Sequence, residues 1–397
     1  MNSTKVLISG ASITGPALGY WLSHYGFDCT IVERAPELRK GGYAIDVRGA
    51  AIEVIKKMGL YDKLQALDTN AEKVTFVDKT SKELLAIDAD IFGGRQHEDL
   101  EIMRGDIAEV LYNATKNSCH YIWGDSIASL TETDQGIHVT FEQSPPQTFD
   151  IVIGADGVHS NVRRLAFGDE TPFVKSLGAY ISIATIPNTL NLHNEEIIYG
   201  VNGKSVGVYT ANNNQELKAM FLFNSPVLSY DRHDSTSQKK IVADIFTDEQ
   251  GWKVPYLLEA MQQTDDFYLD QIAQVHLPQW SKGRVVVAGD AAHCPAPASG
   301  QGTSIALVGA YVLAGELKQA NGDFAKAFTN YQTTMQAFID QNMKIAPITL
   351  KGMIAPSQLN LHIRNAMFHI PKLFIGMNKQ VMNLIQKAAT AIQLKNY

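Results

Sequence analysis

The chain has 397 residues, 45% of them hydrophobic and 19% charged, which suits two or three globular units with a sizeable core. The formal net charge is −7 and no basic tract is present, so nucleic-acid binding is not expected. No apolar stretch approaches the ~20 residues that span a bilayer, and the first apolar run lies inside a motif rather than a signal peptide. The three cysteines lack metal-ligand and redox spacing, so we expect free thiols in a cytoplasmic protein that contacts no membrane.

The start of the chain predicts a site for a dinucleotide. A short apolar strand is predicted at residues 5–9, a helix at 16–25 and a second strand at 28–32. The turn between the first strand and the helix carries Gly10 and Gly15. Glycines at such a turn let backbone N–H groups and the helix N-terminus face a pyrophosphate.

An acid follows the second predicted strand. Glu33 suits ribose hydroxyls and would repel the 2′-phosphate of NADP, so the motif fits FAD or NAD without separating them. Ser12 stands where such turns usually have a glycine, and its side chain either crowds the phosphate or donates a hydrogen bond to it. A plain tight strand–helix turn is the alternative interpretation. Because the sequence holds no second unit of this kind, we expect one dinucleotide bound in the standard way.

The remaining chain predicts a sheet-rich middle and a helical end. Residues 34–48 form a loop whose basic residues and paired glycines are candidates for cofactor contacts, with a solvated connection as the alternative. Along the chain we then expect a helix at 50–58, a hairpin at 74–87, a helix at 107–114, strands at 137–141 and 149–153, an antiparallel sheet over 171–280, a buried strand at 284–288 and helices from 303 to 397.

The last predicted helix carries an apolar stripe. Packing against its own domain is the favoured interpretation, and a lid over a binding cavity is the alternative. The stripe recurs at helical spacing and consists of Phe374, Met377, Val381, Leu384, Ala388 and Ile392.

Two further motifs follow buried strands. Residues 154–163 read Gly-Ala-Asp-Gly-Val-His-Ser-Asn-Val-Arg, and residues 289–293 read Gly-Asp-Ala-Ala-His, followed by Pro297 and the Gly-Gln-Gly of 300–302. With the first motif, they resemble the three fingerprints of single-component flavoprotein aromatic hydroxylases, from about residue 5 to residue 335. The resemblance implies that the dinucleotide is FAD.

The same resemblance implies an α/β fold, in which a Rossmann-like FAD-binding domain with a parallel sheet carries an inserted antiparallel β-sheet substrate domain and a C-terminal helical segment. The predicted FAD-binding domain comprises residues 1–68, 98–165 and 281–322. The predicted substrate-binding domain comprises residues 69–97 and 166–280, and the C-terminal helices residues 323–397.

The resemblance also assigns roles to single residues. By analogy, Glu33 binds the adenosine ribose, Arg104 lies near the ribitol and pyrophosphate, and Asp290 binds the ribityl hydroxyls, with a helix cap as its alternative. Ser304 departs from the asparagine that the family often shows. A helix is expected to begin near Gly302, and its N-terminal partial charge of about half a unit would stabilise the anionic reduced flavin. The residues assigned to the cofactor are Gly10, Ser12, Gly15, Glu33, Arg34, Arg39, Asp46, Arg48, Arg104, Asp156, Asp290, Pro297, Gly300 and Gly302.

Two stretches give a closer match. Residues 39–49 and 300–304, together with the long helical tail, look like the tetracycline-inactivating flavin monooxygenases, called tetracycline destructases. Some members carry an extra C-terminal helix that closes the substrate cavity, and the match places Asp46 near the flavin. The resemblance implies that NADPH reduces FAD, that O2 adds to give a flavin C4a-hydroperoxide, and that one oxygen passes to an electron-rich phenol or enol carbon.

The flavin carries this chemistry, so no catalytic side chain and no metal ligand is assigned. Tyr199 and Phe221 are candidates for substrate contact, although each is more readily a core residue, and His159 and His293 are interpreted as structural. The leading hypothesis is a monomeric, NADPH-dependent FAD monooxygenase that inactivates a tetracycline-like substrate with O2. A hydroxylase of another phenolic or polyketide metabolite is the alternative, and a non-catalytic flavin-binding protein is a third.

Overall fold

The computed structural model describes residues 3–39, 41–96 and 98–397, apart from the side chains of Pro371, Leu373 and Met377. Lys40 of the predicted cofactor loop and the Met377 side chain of the apolar stripe therefore lie outside the described part. The helices are α1 (Thr14–His24), α2 (Ala50–Lys57), α3 (Tyr61–Gln65), α4 (Ala89–Gly93), α5 (Arg104–Thr115), α6 (Asn161–Phe167), α7 (Ser235–Phe246), α8 (Val254–Gln263), α9 (Asp290–His293), α10 (Gly302–Ala320), α11 (Phe324–Asn342), α12 (Ala346–Met353), α13 (Gln358–Phe368) and α14 (Pro371–Ala389), with a 3-10 turn at Pro297–Ser299.

The strands fall into four sheets. In chain order they are β1 (Lys5–Ser9), β2 (Asp28–Glu33), β3 (Ala44–Val47), β4 (Lys73–Val77), β5 (Glu83–Asp88), β6 (Leu100–Met103), β7 (Cys119–Trp123), β8 (Ile127–Thr133), β9 (Gly136–Phe141), β10 (Gln147–Phe149), β11 (Ile151–Gly154), β12 (Val174–Pro187), β13 (Glu195–Val201), β14 (Lys204–Ala211), β15 (Glu216–Asn224), β16 (Phe267–Val275), β17 (Ser281–Lys282) and β18 (Val285–Val287).

The first sheet is the predicted parallel one. Its order is β17-β18-β11-β1-β2-β7, and every neighbouring pair is parallel except the antiparallel edge strand β17. Val6, Leu7 and Ile8 of β1 are fully buried, as expected for a central strand with helices on both faces. Each of the three sequence motifs follows the carboxyl end of one of its central strands, β1, β11 or β18. Ligands bind at this edge of open parallel sheets.

The second sheet has the order β16-β12-β15-β14-β13-β4-β5. The predicted hairpin is confirmed as β4 and β5, and it joins this sheet through a parallel pairing of β4 with β13. All other pairs are antiparallel, in agreement with the predicted sheet. Because side chains alternate along a strand, this sheet has one face against α7 and α8 and an opposite face toward the motif loops. The domain boundaries themselves stay a prediction.

Several elements were not predicted. Helices α7 and α8 lie within the stretch expected to be only sheet; the carboxylate of Asp234 caps α7 by accepting a hydrogen bond from the backbone N–H of Ser237 at 3.1 Å. The buried residues of α8 recur at helical spacing, so the sequence did contain a local signal for this helix. The predicted strand 137–141 is β9, which pairs with β8 and β10 in a small antiparallel sheet, and β3 pairs with β6.

Helix α14 packs on three parts of the chain. The amide of Gln386 donates to the carbonyl of Gly94 and to the carboxylate of Asp99, both at 2.8 Å. Asn342 of α11 donates to the carbonyl of Ala388 at 3.1 Å. Ala388 of the predicted stripe and the adjacent Ile385 are buried, which agrees with the packing interpretation for this end of the helix. Among the described residues, no helix is long and apolar enough to cross a membrane.

Candidate functional site

The first motif forms a tight turn at the end of β1. Gly10 has φ +105°, in the left-handed region, and its N–H donates to the carbonyl of Val32 at 2.8 Å. A Cβ on Gly15 would overlap the carbonyl oxygen of Gly10, so glycine is required where α1 meets the turn. No side chain caps the N-terminus of α1. Its first N–H groups and positive end therefore suit a phosphate.

The carboxylate of Glu33 is fixed beside this turn. It accepts hydrogen bonds from the backbone N–H groups of Ala11 and Ala35, both at 2.8 Å. An ionised carboxylate has about four acceptor positions, so two remain for ribose hydroxyls. The structure thus orients the acid, and the two backbone donors hold it at the turn.

Ser12 contacts Arg104 rather than standing free. Arg104 Nη2 donates to Ser12 Oγ at 2.8 Å. The guanidinium is placed there by the backbone, since the N–H of Arg104 donates to Tyr43 and that of Gly105 to Gly41. The serine that departs from the usual glycine is therefore an acceptor for the arginine predicted near the pyrophosphate.

The second motif holds the three strands of the site together. The carboxylate of Asp156 accepts from the Ser160 hydroxyl, from the N–H of Val162 at 3.0 Å and from the hydroxyl of Ser9 at 3.4 Å, so it links the second motif to the end of β1. The fully buried guanidinium of Arg163 donates to the carbonyls of Ala291 at 2.9 Å and of Val158 at 2.6 Å. Arg163, to which sequence reasoning assigned no role, thus ties the second motif to the third.

The third motif lies against the first. A Cβ on Gly289 would overlap the Thr14 hydroxyl at the start of α1. Asp290 is the first residue of α9, and its Oδ1 lies 3.8 Å from where a Cβ of Gly302 would be. Burial raises the pKa of Asp290, while a hydrogen bond from Cys294 and the charge of Arg104 lower it. The carboxylate therefore faces the N-terminus of α10 at the shared edge of the sheet.

The Gly-Gln-Gly segment fits a bound cofactor. Gln301 is 0% exposed, yet neither its Oε1 nor its Nε2 has a hydrogen-bond partner within the described ranges. The N-terminus of α10 carries no side-chain cap, and Asp46 Oδ2 lies 3.2 Å from where a Cβ of Gly300 would be. A buried amide without partners is costly, so a polar group belongs beside it. The polar edge of a flavin ring matches this donor and acceptor set.

The remaining predicted cofactor residues differ in placement. Arg48 is buried, its Nη2 lies 2.7 Å from Asp46 Oδ1, and its backbone N–H donates to Ser304 Oγ at 3.0 Å. This ion pair orients Asp46 toward α10. Exposed positions, in contrast, are found for Arg34, Arg39 and Pro297.

The two predicted substrate contacts need correction. Phe221 packs on Phe246 of α7 with ring centroids 5.3 Å apart, and Tyr199 belongs to the same buried cluster. Both side chains lie on the α7 and α8 face, away from the motif loops, so they are core residues. Met220 precedes Phe221 on β15 and therefore points to the other face, where it packs on the same cluster as Tyr43 and Tyr268.

A carboxyl group that sequence reasoning missed lies on this opposite face. Glu196 of β13 pairs in register with Tyr209, whose hydroxyl accepts a hydrogen bond from the N–H of Ala44 at 3.2 Å. Burial, together with the charge of Glu101 and against the opposing charge of Arg95, raises the pKa of Glu196 to about 7. In the sequence, only the alternation of side chains along β13 indicates which face Glu196 occupies, and that indication requires a known register.

The two histidines have structural partners. His293 is buried, its Nε2 lies 3.1 Å from the Tyr331 hydroxyl, and burial lowers its pKa to about 3. His159 Nδ1 lies 2.9 Å from a carboxylate oxygen of Glu170. The arrangement agrees with the structural role predicted for both.

Known proteins resemble the whole chain. The family model described as "FAD binding domain" matches residues 3–343. A flavin-dependent monooxygenase of Legionella longbeachae serogroup 1 (strain NSW150) is 36% identical over 394 residues, covering 99% of this chain and 98% of that protein. Crystal structures of the tetracycline destructases Tet(51) and Tet(55) have TM-scores of 0.87 and 0.84, at 34% and 37% identity, covering 100% of this chain and 100% and 99% of theirs. The chain therefore belongs to the FAD-binding family of flavin-dependent monooxygenases and is an oxidoreductase.

Proposed function

We propose that this protein uses NADPH and O2 to hydroxylate, and thereby inactivate, tetracycline antibiotics. The observation that carries the proposal is the full-length similarity to two tetracycline destructases, which includes the C-terminal helices beyond the family model. When bound, FAD supplies the redox chemistry that activates O2. One substrate C–H becomes C–OH, the second oxygen atom leaves as water, and NADPH is oxidised to NADP⁺.

Residues of the three motifs hold the cofactor in this proposal. The N-terminus of α1 faces the pyrophosphate, and Glu33 accepts from the adenosine ribose. Asp290 accepts from the ribityl hydroxyls, because it is fixed at the carboxyl end of β18 beside Gly302. Arg104 approaches the same region from α5, where it is held by Ser12.

In this proposal, the side of the second sheet that faces the motif loops orients the substrate. The motif-facing side of the second sheet brings apolar surface from Met220 and Tyr268 toward Tyr43. Such a wall suits a flat, largely apolar ring system and excludes water from the reacting carbon. Glu196 lies on the same face, and a carboxyl group that titrates near neutral pH is able to accept a phenolic or enolic proton. Loss of this proton makes the ring carbon of the phenol or enol more electron-rich.

The test is turnover by the FAD-loaded, full-length protein. We expect tetracycline-dependent NADPH oxidation, loss of the drug's absorbance and a product that contains one added oxygen atom by mass spectrometry. ¹⁸O2 should label that atom. NADPH oxidation and product formation with a simple phenol or polyketide, with tetracycline unchanged, would instead favour the alternative hydroxylase. A preparation that binds FAD but oxidises no NADPH with any of these compounds would contradict both.

A further inference from the structure

The C-terminal helix α13 places an unpaired arginine against the substrate sheet. Arg364 has no ion-pair or hydrogen-bond partner among the residues that the structure describes, and its Nε is buried. Its guanidinium carbon lies 5.9 Å from the ring centroid of Phe76 and 5.7 Å from that of Phe368. These rings attract the cation, but they provide no acceptor oxygen.

The guanidinium occupies a notch in β13. A Cβ on Gly200 would overlap Nη2 of Arg364, so the absence of a side chain at this position is what lets the arginine lie on the strand. Gly200 lies on the same face of β13 as Glu196 and Ile198, because side chains alternate. Arg364 therefore belongs to the motif-facing side of the sheet.

The charge of this arginine has no carboxylate partner in the part of the chain that the structure describes. Burial lowers the pKa of Arg364 to about 10, and no carboxylate counteracts this shift. The neighbouring Asn365 also has a buried Oδ1 without a partner in the described ranges. Arg364 is half-buried, and its buried Nε donor lacks an acceptor, so a ligand oxygen that accepts from the guanidinium would stabilise it. The chemistry of a guanidinium fork selects an anionic oxygen.

We propose that Arg364 is a substrate-recognition residue that receives an anionic oxygen of the substrate, namely a carboxylate, phenolate or enolate. The inference rests on the proposed function in one respect, that this face binds the substrate. Gly200 follows Glu196 by four positions, which corresponds to about 13 Å along a strand. The substrate is then an elongated molecule that presents its anionic oxygen at the α13 end of this face.

The experiment measures binding rather than turnover. Equilibrium dialysis with the FAD-loaded protein compares 1-hydroxy-2-naphthoate with its neutral amide, 1-hydroxy-2-naphthamide. We expect the wild type to prefer the acid by about 10- to 100-fold, the scale of a charged hydrogen bond. Arg364→Met should abolish this preference and leave the affinity for the amide unchanged, whereas Arg364→Lys should retain part of it. The matched control is Arg232→Met, which alters an arginine that is 49% exposed.

Gly200→Ala is the second variant, because its methyl group displaces the guanidinium without removing the charge. It should lower the preference for the acid, whereas Gly376→Ala on α14, where a Cβ meets no atom within 4 Å, should not. If Arg364→Met fails to fold, Gly200→Ala tests the proposal in its place. A wild type that binds acid and amide equally, or a preference unchanged in folded Arg364→Met or Gly200→Ala, would overturn the proposal. Arg364-dependent acid binding without tetracycline turnover would overturn the proposed function only.

Discussion

The two sides of the proposed site, a nucleotide wall and a substrate wall, differ in how they are built. The nucleotide wall consists mainly of backbone at the carboxyl ends of parallel strands, with glycines at Gly10, Gly15 and Gly300 and two uncapped helix N-termini. The substrate wall consists of side chains from distant parts of the chain, such as Glu196 of β13 and Arg364 of α13. The comparison teaches that the residues proposed for the cofactor lie in local turns, whereas the residues proposed for the substrate are brought together only by long-range packing.

The largest expected effect is a loss of FAD affinity caused by a substitution in the nucleotide wall. In Gly15→Ala, the new methyl group overlaps the Gly10 carbonyl oxygen, so the start of α1 must move away from its position. We expect FAD affinity to fall on the order of 100-fold, because overpacking at a backbone contact costs roughly 1–3 kcal/mol. Fluorescence titration of the apoprotein with FAD measures this. Gly376→Ala is the control, and equal FAD affinity in the two variants would show that the turn tolerates a side chain.

A smaller loss is expected at the other end of the cofactor. Asp290→Ala removes the carboxylate at the carboxyl end of β18 and should raise the Kd for FAD about tenfold, the scale of one charged hydrogen bond. Asp290→Asn keeps the volume and one acceptor, so it should lose less. The same titration compares them. Unchanged FAD content after purification of Asp290→Ala would remove this residue from the site.

On the substrate wall, Glu196 should make stability depend on pH. Its pKa is raised from 4.5 to about 7, so the neutral form is favoured by folding. The stabilisation is complete below pH 4.5 and is lost as pH rises to about 7. Glu196→Gln lacks this titration and should be more stable than the wild type at pH 8 by roughly 1–3 kcal/mol, but not at pH 4.5. Urea unfolding at several pH values measures the difference, and parallel pH profiles of the two proteins would contradict the assignment.

The smallest effect on stability is expected from a substitution at the contact between α14 and α4. Asn378 donates to the carbonyls of Ile91 at 3.1 Å and Phe92 at 3.2 Å. Asn378→Ala should cost ~1 kcal/mol, raise peroxide released per NADPH consumed and leave FAD affinity unchanged. A peroxide electrode records the release during turnover. The exposed neighbour Lys379→Ala is the control, and equal peroxide yield from both variants would indicate that this end of α14 does not enclose the reaction.

The nucleotide wall was easier to predict from the sequence than the substrate wall, and the reason is physical. A tight turn after a buried strand needs glycine, so Gly10 and Gly15 mark it locally, and the fold class followed from the resemblance of the three motifs to flavoprotein aromatic hydroxylases. In contrast, Tyr199 and Phe221 were chosen as aromatic residues on predicted strands. Which face a strand residue occupies depends on register, and a shift by one residue exchanges the faces.

The sequence by itself determined the parallel sheet, the dinucleotide turn with Glu33 and the hairpin, because each depends on residues that are close along the chain. Only the tertiary structure decided that Glu196 faces the motif loops, that Arg163 joins the second motif to the third, and that Arg364 lies in the notch at Gly200. These contacts join residues that are far apart in the chain. Their geometry is fixed by the packing of whole helices and sheets, for which no local pattern exists.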